Sequence, residues 1–171
     1  RSPLNDKQKN KLYADIYDDS IWLISLVENL LSITRIDNET LALNLKPELI
    51  SDVIDEAVMH TKRRVQHHNL SVSICDELLM VKVDMPLIVQ VLVNLITNAK
   101  KFTVKGRIEI GADFSGNEML FWVKDTGIGI PYDKQTAVFE RFRQVDTPDT
   151  KPVLGFGLGL AISKALVELL G

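Results

Sequence analysis

From Leu4 to Lys46 the chain carries neither proline nor glycine. Within that stretch Ile16, Leu23 and Leu30 recur every seven residues, with Leu12, Leu26, Val27 and Ile33 beside them. This spacing predicts one long helix over residues 5 to about 38, with the period of a helix packed in a bundle or coiled coil. At 1.5 Å per residue it would be about 50 Å long. Such a helix is either a core element of the same domain or a dimerisation helix. Its length exceeds what the remaining residues could cover, which favours dimerisation. With 171 residues in all, the chain has room for one domain plus this attachment.

The polar run Asp37-Asn38-Glu39-Thr40 ends the helix. Leu41-Ala42-Leu43-Asn44-Leu45 then alternates as a strand stopped by Pro47. Residues 51 to about 66 read as a helix with Ser51 as N-cap and Val53, Ile54, Ala57 and Val58 on one face. Residues 70–74 alternate as a strand, and residues 78–83 read as a second strand joined to it by a hairpin. Asp84 caps the next helix, residues 85 to about 102, with Pro86 early in it. Residues 107–114 and 119–124 form another hairpin across Ser115-Gly116-Asn117. An irregular stretch, about 126 to 154, precedes a last helix from about Phe156 to Leu170. The mixture of strands and helices predicts a two-layer α/β sandwich, with helices covering one face of a mixed sheet.

Apolar residues make up 46% and charged residues 25%, as in globular chains, and the net charge is −3. There is no global basic field to recruit nucleic acid or an anionic membrane. No apolar run approaches the roughly 18 residues of a membrane span, so this segment is expected to make no direct membrane contact. Cys75 is the one cysteine, which excludes an intramolecular disulfide and fits a reducing compartment.

Four local patterns follow one another. Asn94 and Asn98 are four apart on the helix of residues 85–102, and Lys101 follows three later, so they share a face. Asparagine is a poor helix-interior residue. On an otherwise apolar helix the pair is either a solvated face or a site where an amide oxygen ligates a hard cation and a lysine holds phosphate. Next, Asp125-Thr126-Gly127-Ile128-Gly129-Ile130 directly follows an apolar strand. Alone it is equally a plain turn or a place where a carboxylate meets the amino group of a flat ligand, the glycines permitting close backbone approach. Phe139-Glu140-Arg141-Phe142 then puts two aromatics three apart, as in one helical turn pinned to the core. Finally, Gly155-Phe156-Gly157-Leu158-Gly159-Leu160 opens the last helix. Glycines at a helix start either serve close packing or leave N–H groups free for an anion. The run is neither a Walker A loop nor a dinucleotide-binding G-x-G-x-x-G, since Leu160 stands at the third glycine.

In this order on these elements, the four patterns resemble the N, G1, F and G2 boxes of sensor histidine kinases, in the wider ATP-binding family of gyrase B, Hsp90 and MutL. The resemblance covers nearly the whole chain and implies the Bergerat-type α+β fold. The segment Leu26-Val27-Glu28-Asn29-Leu30-Leu31-Ser32-Ile33-Thr34-Arg35 resembles the second helix of the dimerisation and histidine-phosphotransfer domain. That segment and residues 41–99 are worded most like potassium-responsive sensor kinases, and the chain from Lys101 on more like hybrid ones. The resemblance divides the chain into a partial dimerisation helix, residues 1–40, and a catalytic ATP-binding domain, residues 41–171.

It also implies roles. Asp125 would bond the adenine amino group, with Gly127 and Gly129 shaping that pocket. Asn98 would ligate Mg2+, Lys101 would contact phosphate and Asn94 would assist transfer. Gly155, Gly157 and Gly159 would border the phosphates. Phe139 and Phe142 would anchor the ATP lid, and Arg143 and Lys151 would be lid cations, although Gln144 stands where many relatives carry arginine. The implied reaction is transfer of the ATP γ-phosphate to a histidine, for relay to a response-regulator receiver domain. A homodimer through the N-terminal helix and a cytoplasmic place, as part of a membrane-bound sensor, are implied with it.

The sequence departs from the pattern at its phosphoacceptor. None of His60, His67 and His68 lies in an H-E-x-R-S/T-P-L context, and His67-His68 reads as a solvated helix end. The opening Arg1-Ser2-Pro3-Leu4 matches only the tail of that motif. The expectation is therefore a fragment beginning just after the histidine and stopping short of the family's last two strands. Such a piece would bind nucleotide without phosphorylating itself. A nucleotide-binding regulatory module and a gyrase- or MutL-type ATPase are the alternatives.

Overall fold

The computed structural model describes residues 5–38, 41–62, 69–76, 78–116, 118–144 and 156–171. The chain divides into two compact units, Arg1–Leu41 and Ala42–Gly171. Among its described residues the first holds one helix, α1 (Asp6–Asp37). Asn5 caps it reciprocally: its side chain accepts from the Gln8 N–H, and the Gln8 side chain accepts from the Asn5 N–H. Two otherwise unmet donors are satisfied this way. Leu12, Ile16, Leu23, Val27 and Leu30 along α1 are about half exposed. Among the described residues no helix is long and apolar enough to cross a membrane.

The second unit runs β1 (Lys46–Leu49), α2 (Ile50–Lys62), β2 (Asn69–Ile74), β3 (Met80–Val83), α3 (Met85–Phe102), β4 (Arg107–Ser115), β5 (Glu118–Asp125) and α4 (Gly159–Leu170). Two 3-10 turns, Tyr132–Lys134 and Ala137–Phe139, lie between β5 and α4. β2 pairs parallel with β4, and β4 antiparallel with β5. A parallel pair needs a crossover, and α3 lies in it. Alternation along β4 sends Ile108, Ile110 and Ala112 inward, each fully buried. Ile110 and Ala112 meet Val53, Ile54 and Ala57 of α2 and Ile88, Leu92 and Ile96 of α3 in one core. Each such isoleucine or leucine contributes about 1.5–3 kcal/mol by leaving water. A helix layer over a mixed sheet is the predicted two-layer sandwich.

Four local expectations differ from the structure. Residues 41–45 are not a strand. β1 lies further on and contains Pro47, opposite Lys82 of β3. In a two-stranded ribbon Pro47 has one neighbouring strand, so its missing N–H costs little. Strand β3 pairs with β1 rather than forming a hairpin with β2. At the end of β2 the Asp76 side chain accepts from the Leu78 N–H at 3.0 Å, turning the chain away. β2 and β4 both offer apolar rows to the same helix layer, and that shared face sets their pairing. Lastly, α2 starts at Ile50, whose N–H donates to the Leu79 carbonyl, so Ser51 lies inside the helix rather than capping it. The last helix begins at Gly159, three residues after the expected start.

Candidate functional site

α3 is the axis of the site. Its start is local chemistry: Asp84 caps it and Pro86 follows within the first positions. Its apolar face, Ile88, Val89, Leu92 and Ile96, is buried, which leaves Asn94, Asn98 and Lys101 half-buried. From Asn94 to Thr103 the helix rises about 13 Å.

At one end, the Asn94 amide donates to the Gly159 carbonyl and to the Ser163 hydroxyl, both at 3.4 Å. This ties α3 to the first turn of α4. Among the described residues no side chain caps α4, so the helix dipole and the N–H groups of its first turn suit an anion. Just ahead, Gly157 has φ +66°, and a Cβ on it would lie 2.5 Å from the Arg143 carbonyl oxygen. Only glycine fits that approach. The Gly157 carbonyl accepts from the Phe142 N–H at 3.0 Å, and Phe142 itself sits at φ 63°.

At the other end, the Asp125 carboxylate closes β5. Its Oδ1 accepts from the Gly127 N–H at 2.7 Å and from the Thr103 hydroxyl at 3.3 Å. The Ile128 N–H donates to the Phe102 carbonyl, and a Cβ on Gly127 would lie 2.5 Å from that same oxygen. The turn after β5 is thereby seated on the last turn of α3. Gly129 has φ +69°, with nothing near its Cβ position among the described residues.

Between the ends stand Asn98 and Lys101. Among the described residues the Asn98 side chain has no hydrogen-bond partner. The Lys101 ammonium lies 5.2 Å from the Phe102 ring centroid, and burial lowers its pKa from the ordinary 10.5. Arg143 pairs with Glu140 at 3.1 Å. Phe139 and Phe142 are 43% and 68% exposed, so their rings are not pinned in the core as expected. The backbone bond to Gly157 holds that segment instead. Lys151, Gly155, His67 and His68 lie outside the described residues. Two polar contributors were missed from sequence, Thr103 and Ser163. Both are buried, and buried hydroxyls need partners. The available signal was a threonine directly after the N-x-x-x-N-x-x-K helix and a serine one turn past Gly159.

The histidine kinase-, DNA gyrase B-, and HSP90-like ATPase family matches residues 83–171. The sensor protein KdpD of Clostridium acetobutylicum is 38% identical over 169 residues, covering 98% of this chain and 19% of that protein. The sensor protein SrrB of Staphylococcus aureus is 36% identical over 167 residues, 95% of this chain and 28% of its own. The chain thus spans under a third of the length of these relatives. The crystal structure of full-length ShkA in complex with AMPPNP superposes with a TM-score of 0.78 at 27% identity, covering 98% of this chain and 35% of ShkA. The chain belongs to the histidine kinase-, DNA gyrase B- and HSP90-like ATPase family, as an ATP-binding domain of the sensor histidine kinase type.

Proposed function

We propose that residues 41–171 bind Mg2+-ATP along α3 and deliver the γ-phosphate to a histidine on a separate helix, for relay to a response-regulator receiver domain. The observation that carries this is the placement of two unlike ends on one helix. An acceptor-only carboxylate, Asp125, sits beside its last turn, and a helix start that no described side chain caps, with the close-packed Gly157 just ahead of it, sits beside Asn94. The separation suits a purine at one end and a triphosphate at the other.

Asp125 accepts from the adenine amino group, beside Gly127 and Gly129. Gly155, Gly157 and Gly159 border the phosphates, and Lys101 supplies a cation to them. Arg143 and Lys151 are the cations of the lid, the segment that carries Phe139 and Phe142. Asn94 orients the transfer, its amide already held by α4. The donor set fits Mg2+, which takes hard oxygens and retains phosphate and water ligands rather than an all-protein cage. Asn98 offers such an oxygen and has no competing partner among the described residues. When bound, the ion neutralises phosphate charge. The rest is positioning: transfer to an imidazole nitrogen depends on alignment and electrostatics.

Residues 1–40 serve as a dimerisation helix. The half-exposed Leu12, Ile16, Leu23 and Leu30 at heptad spacing support a homodimer through α1. The parent is a membrane-bound sensor with this part in the cytoplasm. The test supplies labelled ATP, Mg2+ and a separate helical hairpin bearing a phosphoacceptor histidine. Acid-labile label on the hairpin is expected. Phosphate release without label would make the chain an ATPase, and binding without either would make it a regulatory module.

A further inference from the structure

We infer that Thr103 is the positioning residue for base selection, holding the Asp125 carboxylate in the plane that discriminates an amino-purine from an oxo-purine. The inference rests on the proposal that Asp125 faces the base. An ionised carboxylate only accepts hydrogen bonds. It welcomes the 6-amino group of adenine and meets the 6-oxo group of guanine with two acceptors face to face. That discrimination works only if one oxygen is aimed at the base.

The structure divides the labour between the two oxygens. Oδ1 takes both protein donors, the Gly127 N–H at 2.7 Å and the Thr103 hydroxyl at 3.3 Å. Among the described residues nothing donates to Oδ2. The Gly127 bond is local, two residues away, and alone it leaves the carboxylate plane free to turn about the bond. Thr103 comes from a different element and fixes the plane. Its own position is fixed in turn. The residue is fully buried, and its N–H donates to the Ala99 carbonyl at 3.0 Å as the last turn of α3 closes. Its methyl lies where a Cβ on Gly106 would approach to 3.2 Å. The base-side acceptor is thereby set in register with Asn98 and Lys101 through one helix, rather than through the exposed turn after β5.

The experiment measures equilibrium affinities of the chain for ATP and GTP at fixed Mg2+, in wild type, Thr103→Val, Thr103→Ala and Thr103→Ser. Loss of one hydroxyl bond to the carboxylate is expected to lower the ATP-over-GTP ratio about three- to tenfold in the valine and alanine variants. ATP affinity falls, GTP affinity hardly moves, and Thr103→Ser keeps the wild-type ratio. Alanine and serine both lack the methyl group. Their comparison isolates the hydroxyl even if valine disturbs folding. Equal ratios for the alanine and serine variants, with wild type still preferring ATP, would overturn the role of Thr103 alone. A wild type that does not distinguish ATP from GTP would overturn the assignment of Asp125, and the inference with it.

Discussion

Replacing Asp84 by alanine removes two interactions from one 6% exposed carboxylate. Its Oδ1 accepts from the Leu87 N–H at 3.4 Å, and its Oδ2 accepts from the Asn44 N–H at 2.8 Å. The backbone bonds from Leu87 and Ile88 to the Asp84 carbonyl survive the substitution. Losing the side-chain cap costs about 1 kcal/mol. The Asn44 bond is short and charge-assisted, but Asn44 is exposed, so water takes over its donor and the loss is also about 1 kcal/mol. Removing a negative charge from the start of α3 adds about 0.5 kcal/mol. The total is about 2.5 kcal/mol, which at roughly 4 °C per kcal/mol for a unit of this size lowers Tm by about 10 °C. Urea unfolding followed by far-ultraviolet circular dichroism reads this as a lower midpoint at unchanged m-value. Asp84→Asn keeps a neutral acceptor of good capping quality and should lose less than half as much. Hydrogen exchange at the Asn44 amide should accelerate in the alanine variant. An alanine variant within about 0.5 kcal/mol of wild type, or an asparagine variant as unstable as the alanine one, would refute the reasoning.

Elements whose signals are local were legible in the sequence. α1 announces itself by apolar period and the absence of internal breakers, and α3 by apolar period with Asp84 and Pro86 at its start. The β4–β5 hairpin announces itself by two alternating runs across Ser115-Gly116. Pairing at a distance was not legible. Leu41 to Leu45 alternates like a strand, yet the ladder to β3 forms from Lys46 onward, because strand identity depends on a partner the local pattern does not name. The site divides the same way. The order Asn94, Asn98, Lys101, Asp125 and the glycine runs is visible from the chain alone. That Asn94 is engaged by residues 65 and 69 positions away is not, nor is the Thr103 bond to Asp125 across 22. The positive φ of Phe142 goes with its backbone bond to Gly157, so aromatic spacing suggested a buried turn where the rings are exposed.

Three further outcomes are expected. Asn98→Ala should lower ATP affinity about tenfold in Mg2+ and leave it unchanged in EDTA; equal losses in both would remove Asn98 from the metal. Gly157→Ala should cost at least about 1 kcal/mol from its left-handed backbone. It should also loosen the segment around Phe142, read as faster tryptic cleavage after Arg141 and Arg143; an unchanged rate would show that the Gly157 contact does not hold it. Lys101 provides the pH test. Burial lowers its pKa in the folded chain below 10.5, so between that lowered value and 10.5 the unfolded chain binds more protons, and stability rises with pH across this window. At lower pH the charged, partly desolvated ammonium is a standing cost. Lys101→Met should therefore be more stable than wild type near neutrality and should lack the alkaline rise. Nucleotide reverses the sign, because phosphate oxygens near the ammonium favour its charged form. Wild-type affinity for ATP should fall as pH rises through the same window, while the methionine variant binds more weakly with a flat profile. Parallel pH profiles for the two proteins, in urea unfolding and in ATP binding alike, would place Lys101 in contact with neither the low-dielectric boundary of the core nor the phosphates.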